Sequence, residues 1–307
     1  MTTEMIERIL SKENLEEAKC KVMSNKGSAG VDRMKTSELP KFIEAHGEEL
    51  CEAIRRRKYK PLPVRRVEIP KEDGSKRNLG VPAVKDRWIE QAVCQVLTPI
   101  FEKEFSENSY GFRPGRKAEQ AVIKALEFMN DGYDWIVDLD LSKFFDNVNQ
   151  DILMILVHKV IKDPDTESLV RRILQGGVLV EGTYEETKIG TAQGSPISPL
   201  LANIYLNEFD QEYQKRGVVF VRYADDIVLL AKSERAAKRL LETSTKYLEG
   251  PLKLKVNQEK SRVVSVFAIR TFKFLGFTLG KNGKGIYVRV HGKSWKKMKS
   301  KLKELSS

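Results

Sequence analysis

Apolar positions along the chain follow two rhythms, one near 3.6 residues and one of two, and the switches between them mark helices and strands. Ile6, Ile9 and Leu10 share one helical side, and Leu15, Ala18 and Val22 continue the spacing after a break at Ser11. The spacing predicts further helices over residues 39–57, 88–101, 117–129, 150–161, 167–174 and 233–248, with another from Ser198 that buries Leu201, Ile204, Tyr205 and Phe209. Asn149 and Ser198 stand where N-caps belong, and Pro199 suits a first helical turn. Loose alternation over 64–70 and 75–81, around a turn at Lys71-Glu72-Asp73-Gly74, predicts a hairpin. Residues 178–188 predict a second one.

Two strand-like runs carry acids at places where apolar residues would suffice. In Trp135-Ile136-Val137-Asp138-Leu139-Asp140-Leu141, the period of two puts Ile136, Asp138 and Asp140 on one face. In the run from Phe220 to Ala231, Val, Ile, Leu and aromatic residues flank a central Asp225-Asp226, which predicts a hairpin with Ala224, Asp225 and Asp226 at its turn. An isolated Asp pair is also what an ordinary turn carries. Adjacent carboxylates repel unless a cation offsets them, and carboxylate oxygens are the ligands Mg²⁺ prefers.

Taken in order, three motifs resemble the palm of reverse transcriptases. They are Asp140 followed at the fifth position by Phe145, then Gln193-Gly194-Ser195-Pro196, then Tyr223-Ala224-Asp225-Asp226. Lys26-Gly27-Ser28-Ala29-Gly30-Val31-Asp32 and Ser109-Tyr110-Gly111-Phe112-Arg113-Pro114-Gly115-Arg116 narrow the resemblance to the reverse transcriptase domain of bacterial group II intron-encoded maturases. The resemblance implies an α+β fold rich in α/β pieces, a right-hand polymerase. Helical fingers would carry a β-hairpin, and helices would back an antiparallel palm sheet. It implies an N-terminal extension over 1–49, fingers over 50–130, a palm over 131–280 and the start of a thumb over 281–307.

The implied reaction is RNA-templated DNA synthesis with two Mg²⁺ ions, Mn²⁺ being the alternative. Asp140, Asp225 and Asp226 are the implied catalytic carboxylates, and the Leu141 carbonyl is an additional ligand. Asp138 is assigned to structure, because the aromatic five positions on fits Asp140. Lys71 and Arg77 would meet the triphosphate, Gln193 and Gly194 the nucleotide, and Phe145 the sugar, with Phe144 in the core. Lys260 matches a proton donor to pyrophosphate, although a solvated Lys is the simpler reading of so basic a segment. Arg65, Arg66, Arg113, Arg116, Lys296 and Lys297 would contact nucleic acid, while Tyr110 and Phe112 suit either stacking on bases or the core.

Charge agrees with a polyanionic partner. The chain of 307 residues has a formal net charge of +11. Between residues 55 and 87, twelve Lys or Arg meet four acids, and from Lys281 onward nine meet only Glu304. Basic blocks thus flank the acidic centre. An apolar content of 41% excludes general disorder. Cys20, Cys51 and Cys94 form no CxxC pair, and with His46, His158 and His291 they give no zinc pattern; reduced thiols suit a bacterial cytoplasm. No apolar run reaches the ~20 residues that cross a bilayer. Expected partners are template and intron RNA, a DNA or RNA primer and dNTPs, with no membrane and with a homodimer left open. Two rivals remain: a reverse transcriptase of retron, diversity-generating or CRISPR-associated lineage, and an RNA-binding splicing cofactor without catalysis.

Overall fold

The structure, a computed structural model, describes residues 3–70, 74, 76–180, 182–268 and 272–306. The chain begins with α1 (Glu4–Ile9), α2 (Lys12–Ser24), α3 (Leu39–Arg55), the hairpin β1 (Val64–Pro70) and β2 (Lys76–Val81), and α4 (Val84–Phe101). It continues through α5 (Ala118–Asn130), β3 (Trp135–Leu139), α6 (Phe144–Asn147), α7 (Gln150–Ile161), α8 (Pro164–Leu174), β4 (Val178–Val180) and β5 (Thr183–Glu185). Last come α9 (Ser198–Lys215), β6 (Val219–Tyr223), β7 (Asp226–Ala231), α10 (Glu234–Glu249), β8 (Arg262–Ser265), β9 (Phe277–Asn282), β10 (Gly285–Val290) and α11 (Gly292–Leu305). Side-chain caps start several of the helices: Ser11, Asn149, Asp163 and Ser233 each accept a backbone N–H from the first turn. None of the described helices is long and apolar enough to cross a membrane.

Two compact units share this chain discontinuously, one comprising Met1–Phe105 and Lys143–Leu206, the other Ser106–Ser142 and Asn207–Ser307. In the first, α4 is the central support. Its Trp88, Ile89, Ala92, Val93 and Leu97 are buried, and the Trp88 indole donates to Leu15 O of α2 at 2.9 Å. The sheet of this unit has the order β2-β1-β4-β5, in which β1 pairs antiparallel with β2 and parallel with β4.

The second unit is built on the antiparallel sheet β6-β7-β3-β8. One face carries Ile136, Val221, Val228 and Leu230 into a core completed by Ala121, Ala125 and Met129 of α5 with Phe272, Phe274 and Leu279. Val137, Leu139 and Leu229 are buried on the opposite face, and α10 lies along β3, β7 and β8. Register therefore decides where the acids go. Asp138 pairs with Val228 and so continues the face that begins with buried Ile136.

Candidate active site

Carrying the Asp138↔Val228 pairing two residues further sets Asp140, just past the end of β3, opposite Asp226 at the start of β7. Asp138, Leu139, Asp140, Asp226, Glu259, Lys260 and Arg262 together line a cavity of about 360 Å³. Asp226 is thus a strand residue sharing Asp140's face, whereas a turn position had been expected for it. The turn itself is Ala224-Asp225, with Ala224 at φ +57° and Asp225 half-buried beside it.

The segment following α10 grips the end of β3. Asp140 N–H donates to Ser261 Oγ at 3.0 Å, Asn257 N–H donates to Asp140 O at 2.9 Å, and Ser142 N–H donates to Lys255 O at 2.8 Å. These bonds make Leu141 and Val256 a bridge pair, and neither of the two that flank it uses the Leu141 carbonyl. Local periodicity cannot find such partners, because Ser261 lies 121 residues from Asp140.

Crowding of like charge is visible in the acids themselves. Asp226 is pushed up from 3.8 to about 6, first by withdrawal of its carboxyl from water and then by the negative field of Asp225, Asp138 and Asp140. Asp226 keeps an exposed edge, so the neighbouring charges matter beside desolvation. Asp138 is also raised to about 6, mainly by burial, although Arg262 opposes the shift. Arg262 Nε stands 3.6 Å from Asp138 Oδ2, directly across the β3–β8 pairing. Asp138 was assigned to structure alone; it has that ion pair and also lines the cavity.

A pH dependence follows for the metal-free protein. Carboxyls whose folded values lie above 3.8 stabilise the fold most while protonated, and this contribution is lost as pH rises through about 6. Thermal melts in chelator should therefore show a midpoint that falls between about pH 4 and 6 and levels off above that. Asp226→Asn should flatten that fall.

The Ala224-Asp225 turn is braced from beneath. Arg222 is fully buried, its Nε donates to Asp210 Oδ1 and Oδ2 at 2.8 and 2.9 Å, and its Nη1 donates to Ala224 O at 2.9 Å. The 109–116 loop lies alongside, and a Cβ on Gly111 would stand 2.2 Å from Ala224 N. Only glycine fits that approach. Tyr110 is buried in the core, while Phe112, at φ +58°, is 52% exposed.

Several expected nucleic-acid contacts are otherwise engaged. Arg113 is buried and donates through Nη1 to Ser106 O and Ser109 O, so it holds its own loop and does not reach a surface. Arg116 pairs with Glu107, donates to Glu107 O at 2.7 Å and lies over the Tyr110 ring. Arg65 donates to Ala29 O at 2.8 Å, tying β1 to the 27–30 loop. Arg66 is half-buried on β1, whereas Lys296 and Lys297 are exposed on α11.

The residues expected to meet the nucleotide fall in the first unit, apart from Lys260, which lines the acidic cavity of the second. Lys71 lies outside the described residues. Arg77 is exposed on β2. Gly80 N–H donates to Gln193 O at 2.8 Å, which fastens the Gln193 turn to the same strand. Gly194 has φ +125°, and a Cβ there would stand 2.6 Å from Gly80 O. Thr191 N–H donates to Phe145 O at 2.8 Å, so Phe145 joins the same group. Phe144 is buried and Phe145 half-buried, which separates a packing role from an exposed one.

Glu259 and Arg262 were not anticipated from sequence. Glu259 adjoins the predicted Lys260, and Arg262 follows two residues later in a segment whose lysines dominate the pattern.

Comparison with known proteins supplies the family. Residues 69–279 match the family "Reverse transcriptase (RNA-dependent DNA polymerase)". The chain is 32% identical over 315 aligned residues to Protein YkfC of Escherichia coli (strain K12), covering 90% of this chain and 82% of that protein. It is 33% identical over 242 residues to Group II intron-encoded protein LtrA of Lactococcus lactis subsp. cremoris, covering 78% of this chain and 39% of LtrA. Among solved structures, telomerase from Candida albicans in complex with a fragment of telomeric RNA has a TM-score of 0.58 at 17% identity. That match covers 76% of this chain and 47% of the other, and it places the fold among right-hand polymerases.

Proposed function

This chain belongs to the reverse transcriptase (RNA-dependent DNA polymerase) family, and on that footing we propose that it extends a primer 3′-hydroxyl with dNTPs on an RNA template, as a polymerase of the group II intron type. The observation that carries this reading is the register that brings Asp140 and Asp226 onto one face, with Lys260 lining the same cavity.

The donor set fits hard divalent cations such as Mg²⁺, because Asp140, Asp226 and the neighbouring Asp225 offer carboxylate oxygens, and Asp226, raised first by burial, is raised further by the negative charge of Asp225, Asp138 and Asp140. Among the described residues no three His, Cys, Asp or Glu side chains are gathered closely enough to hold a metal ion. Asp140, Asp225, Asp226 and the Leu141 carbonyl would hold the ions, which supply acidification of the primer hydroxyl and neutralisation of the triphosphate when bound. Asp140 is presented by fixed backbone bonds on both its N–H and its C=O. Lys260, which lines the same cavity, is the residue that would hand a proton to departing pyrophosphate. Arg77, Gln193 and Phe145, all in the first unit, would serve the nucleotide, Arg77 through phosphate charge and Phe145 through contact with the sugar. Intron RNA as a partner is supported by the similarity to LtrA, of which this chain spans 39%. The two basic blocks suit its phosphates.

Primer extension on an RNA template with dNTPs and Mg²⁺ tests the reading, and absence of extension with a demonstrably bound primer-template would overturn it. Sugar choice gives a finer test. Phe145→Ala should raise rNTP incorporation relative to dNTP by about tenfold or more, since a rigid ring excludes a 2′-hydroxyl by overlap. Phe144→Ala should instead lower stability by about 3–5 kcal/mol through lost packing. An unchanged ratio in a folded, active Phe145→Ala enzyme would remove the sugar gate from this position.

A further inference from the structure

One buried acid has no part in the chemistry above. Glu90 sits on α4 at 3% exposure, where a Leu or Met would fill space without desolvating a carboxyl. Its Oε2 accepts the Ser195 hydroxyl at 2.6 Å, and Ser195 is itself buried. Ser195 closes the turn that presents Gln193: its N–H donates to Ala192 O, and its own O accepts from Ser198 N–H at the start of α9. On its other flank the turn is fastened to β2, through Gly80 N–H to Gln193 O.

We propose that Glu90 is a positioning residue for nucleotide binding: through Ser195 it fixes the Gln193 turn against β2, the strand that carries Arg77. The inference rests on the reading of Gln193 as a nucleotide contact. Because Gly80 leaves the turn little freedom on one side and Glu90 on the other, Gln193 is held before a ligand arrives, and pre-organisation of this kind appears in affinity. Burial raises the Glu90 carboxyl to about 8, and Asp86 adds to this while the Ser195 hydroxyl and Arg87 pull downward, so the protonated form predominates at pH 7. The neighbouring Asp86 is committed elsewhere, to the Tyr59 hydroxyl and Leu62 N–H, and cannot replace it. A neutral hydrogen-bonding side chain of the same length should therefore serve as well.

Steady-state primer extension on an RNA template, read as KM for dNTP and kcat separately, tests the brace in Glu90→Leu, Glu90→Gln, Ser195→Ala and Gln193→Ala. Circular dichroism melts of each protein establish folding. Glu90→Leu and Ser195→Ala are expected to raise KM about tenfold with kcat within about threefold, while Glu90→Gln stays within about twofold of the parent. Should Glu90→Leu fail to fold, Ser195→Ala removes the same bond without disturbing α4. The proposal is overturned if Ser195→Ala leaves KM unchanged while Gln193→Ala raises it, or if Glu90→Gln is as impaired as Glu90→Leu. If Gln193→Ala leaves KM unchanged, the nucleotide role of the turn fails, and the inference fails with it.

Discussion

Asp140→Asn is expected to lower RNA-templated primer extension by about three orders of magnitude while changing RNA affinity by less than about threefold. On the proposed reading the loss is large because a charged metal ligand would be replaced by a neutral amide at a residue whose backbone is held on both sides, so little movement of the chain can compensate. Removing an essential metal ligand costs several kcal/mol of transition-state stabilisation, and each ~1.4 kcal/mol is tenfold in rate. RNA affinity should survive, because it is carried by basic residues elsewhere in the chain, and one fewer acid slightly reduces repulsion of phosphates. Asp138→Asn is the internal comparison. Its carboxyl already faces Arg262 at 3.6 Å, so this variant should retain activity within about tenfold of the parent. Single-turnover extension alongside filter binding measures both quantities. An Asp140→Asn enzyme with more than about a tenth of parental activity would remove Asp140 from the catalytic set.

What the sequence made legible was local. The period of two in residues 135–141 put Asp138 and Asp140 on the face that the structure shows, and Asn149 caps the helix it was expected to cap. Phe144 and Phe145 differ in burial in the predicted sense. What periodicity and motif spacing left out were the groups that meet a side chain in space, near or distant in sequence. Arg113 looked like a surface cation beside aromatics, but the Ser106 and Ser109 carbonyls satisfy it inside the unit. Arg65 faces Ala29, 36 residues away, and not only solvent or phosphate. Asp138 was set aside because motif spacing fitted Asp140, yet sheet pairing brings both to one cavity together with Arg262. Glu90 gave no signal at all, since an acid within an apolar helix stripe reads as a flaw in amphipathicity until Ser195, 105 residues on, is seen beside it. Periodicity records which face a residue takes; it does not record what another segment places against that face.

The buried pair of Asp210 and Arg222 should give the second large effect, on stability and activity together. Both side chains are fully buried, and Arg222 also donates to Ala224 O, the carbonyl of a non-glycine residue at φ +57°. Arg222→Met removes the main cation that offsets the buried Asp210 and leaves it only the weaker field of Arg113, a change that costs about 3–5 kcal/mol, and the melting midpoint should fall on the order of 10 °C. Replacing both partners, Asp210→Leu with Arg222→Met, removes the stranded charge, so most of that stability should return. Activity should not return with it. Without the guanidinium, Ala224 O loses its donor and the left-handed residue before Asp225 loses the contact that offsets its strain. The double variant is therefore expected to fold, to bind RNA normally and to extend primers at least about tenfold more slowly than the parent. Circular dichroism melts and primer extension on the same preparations separate the two effects. A stable double variant with parental activity would reduce the pair to a packing element; a stable but slow one would make Arg222 the residue that holds the catalytic turn in shape.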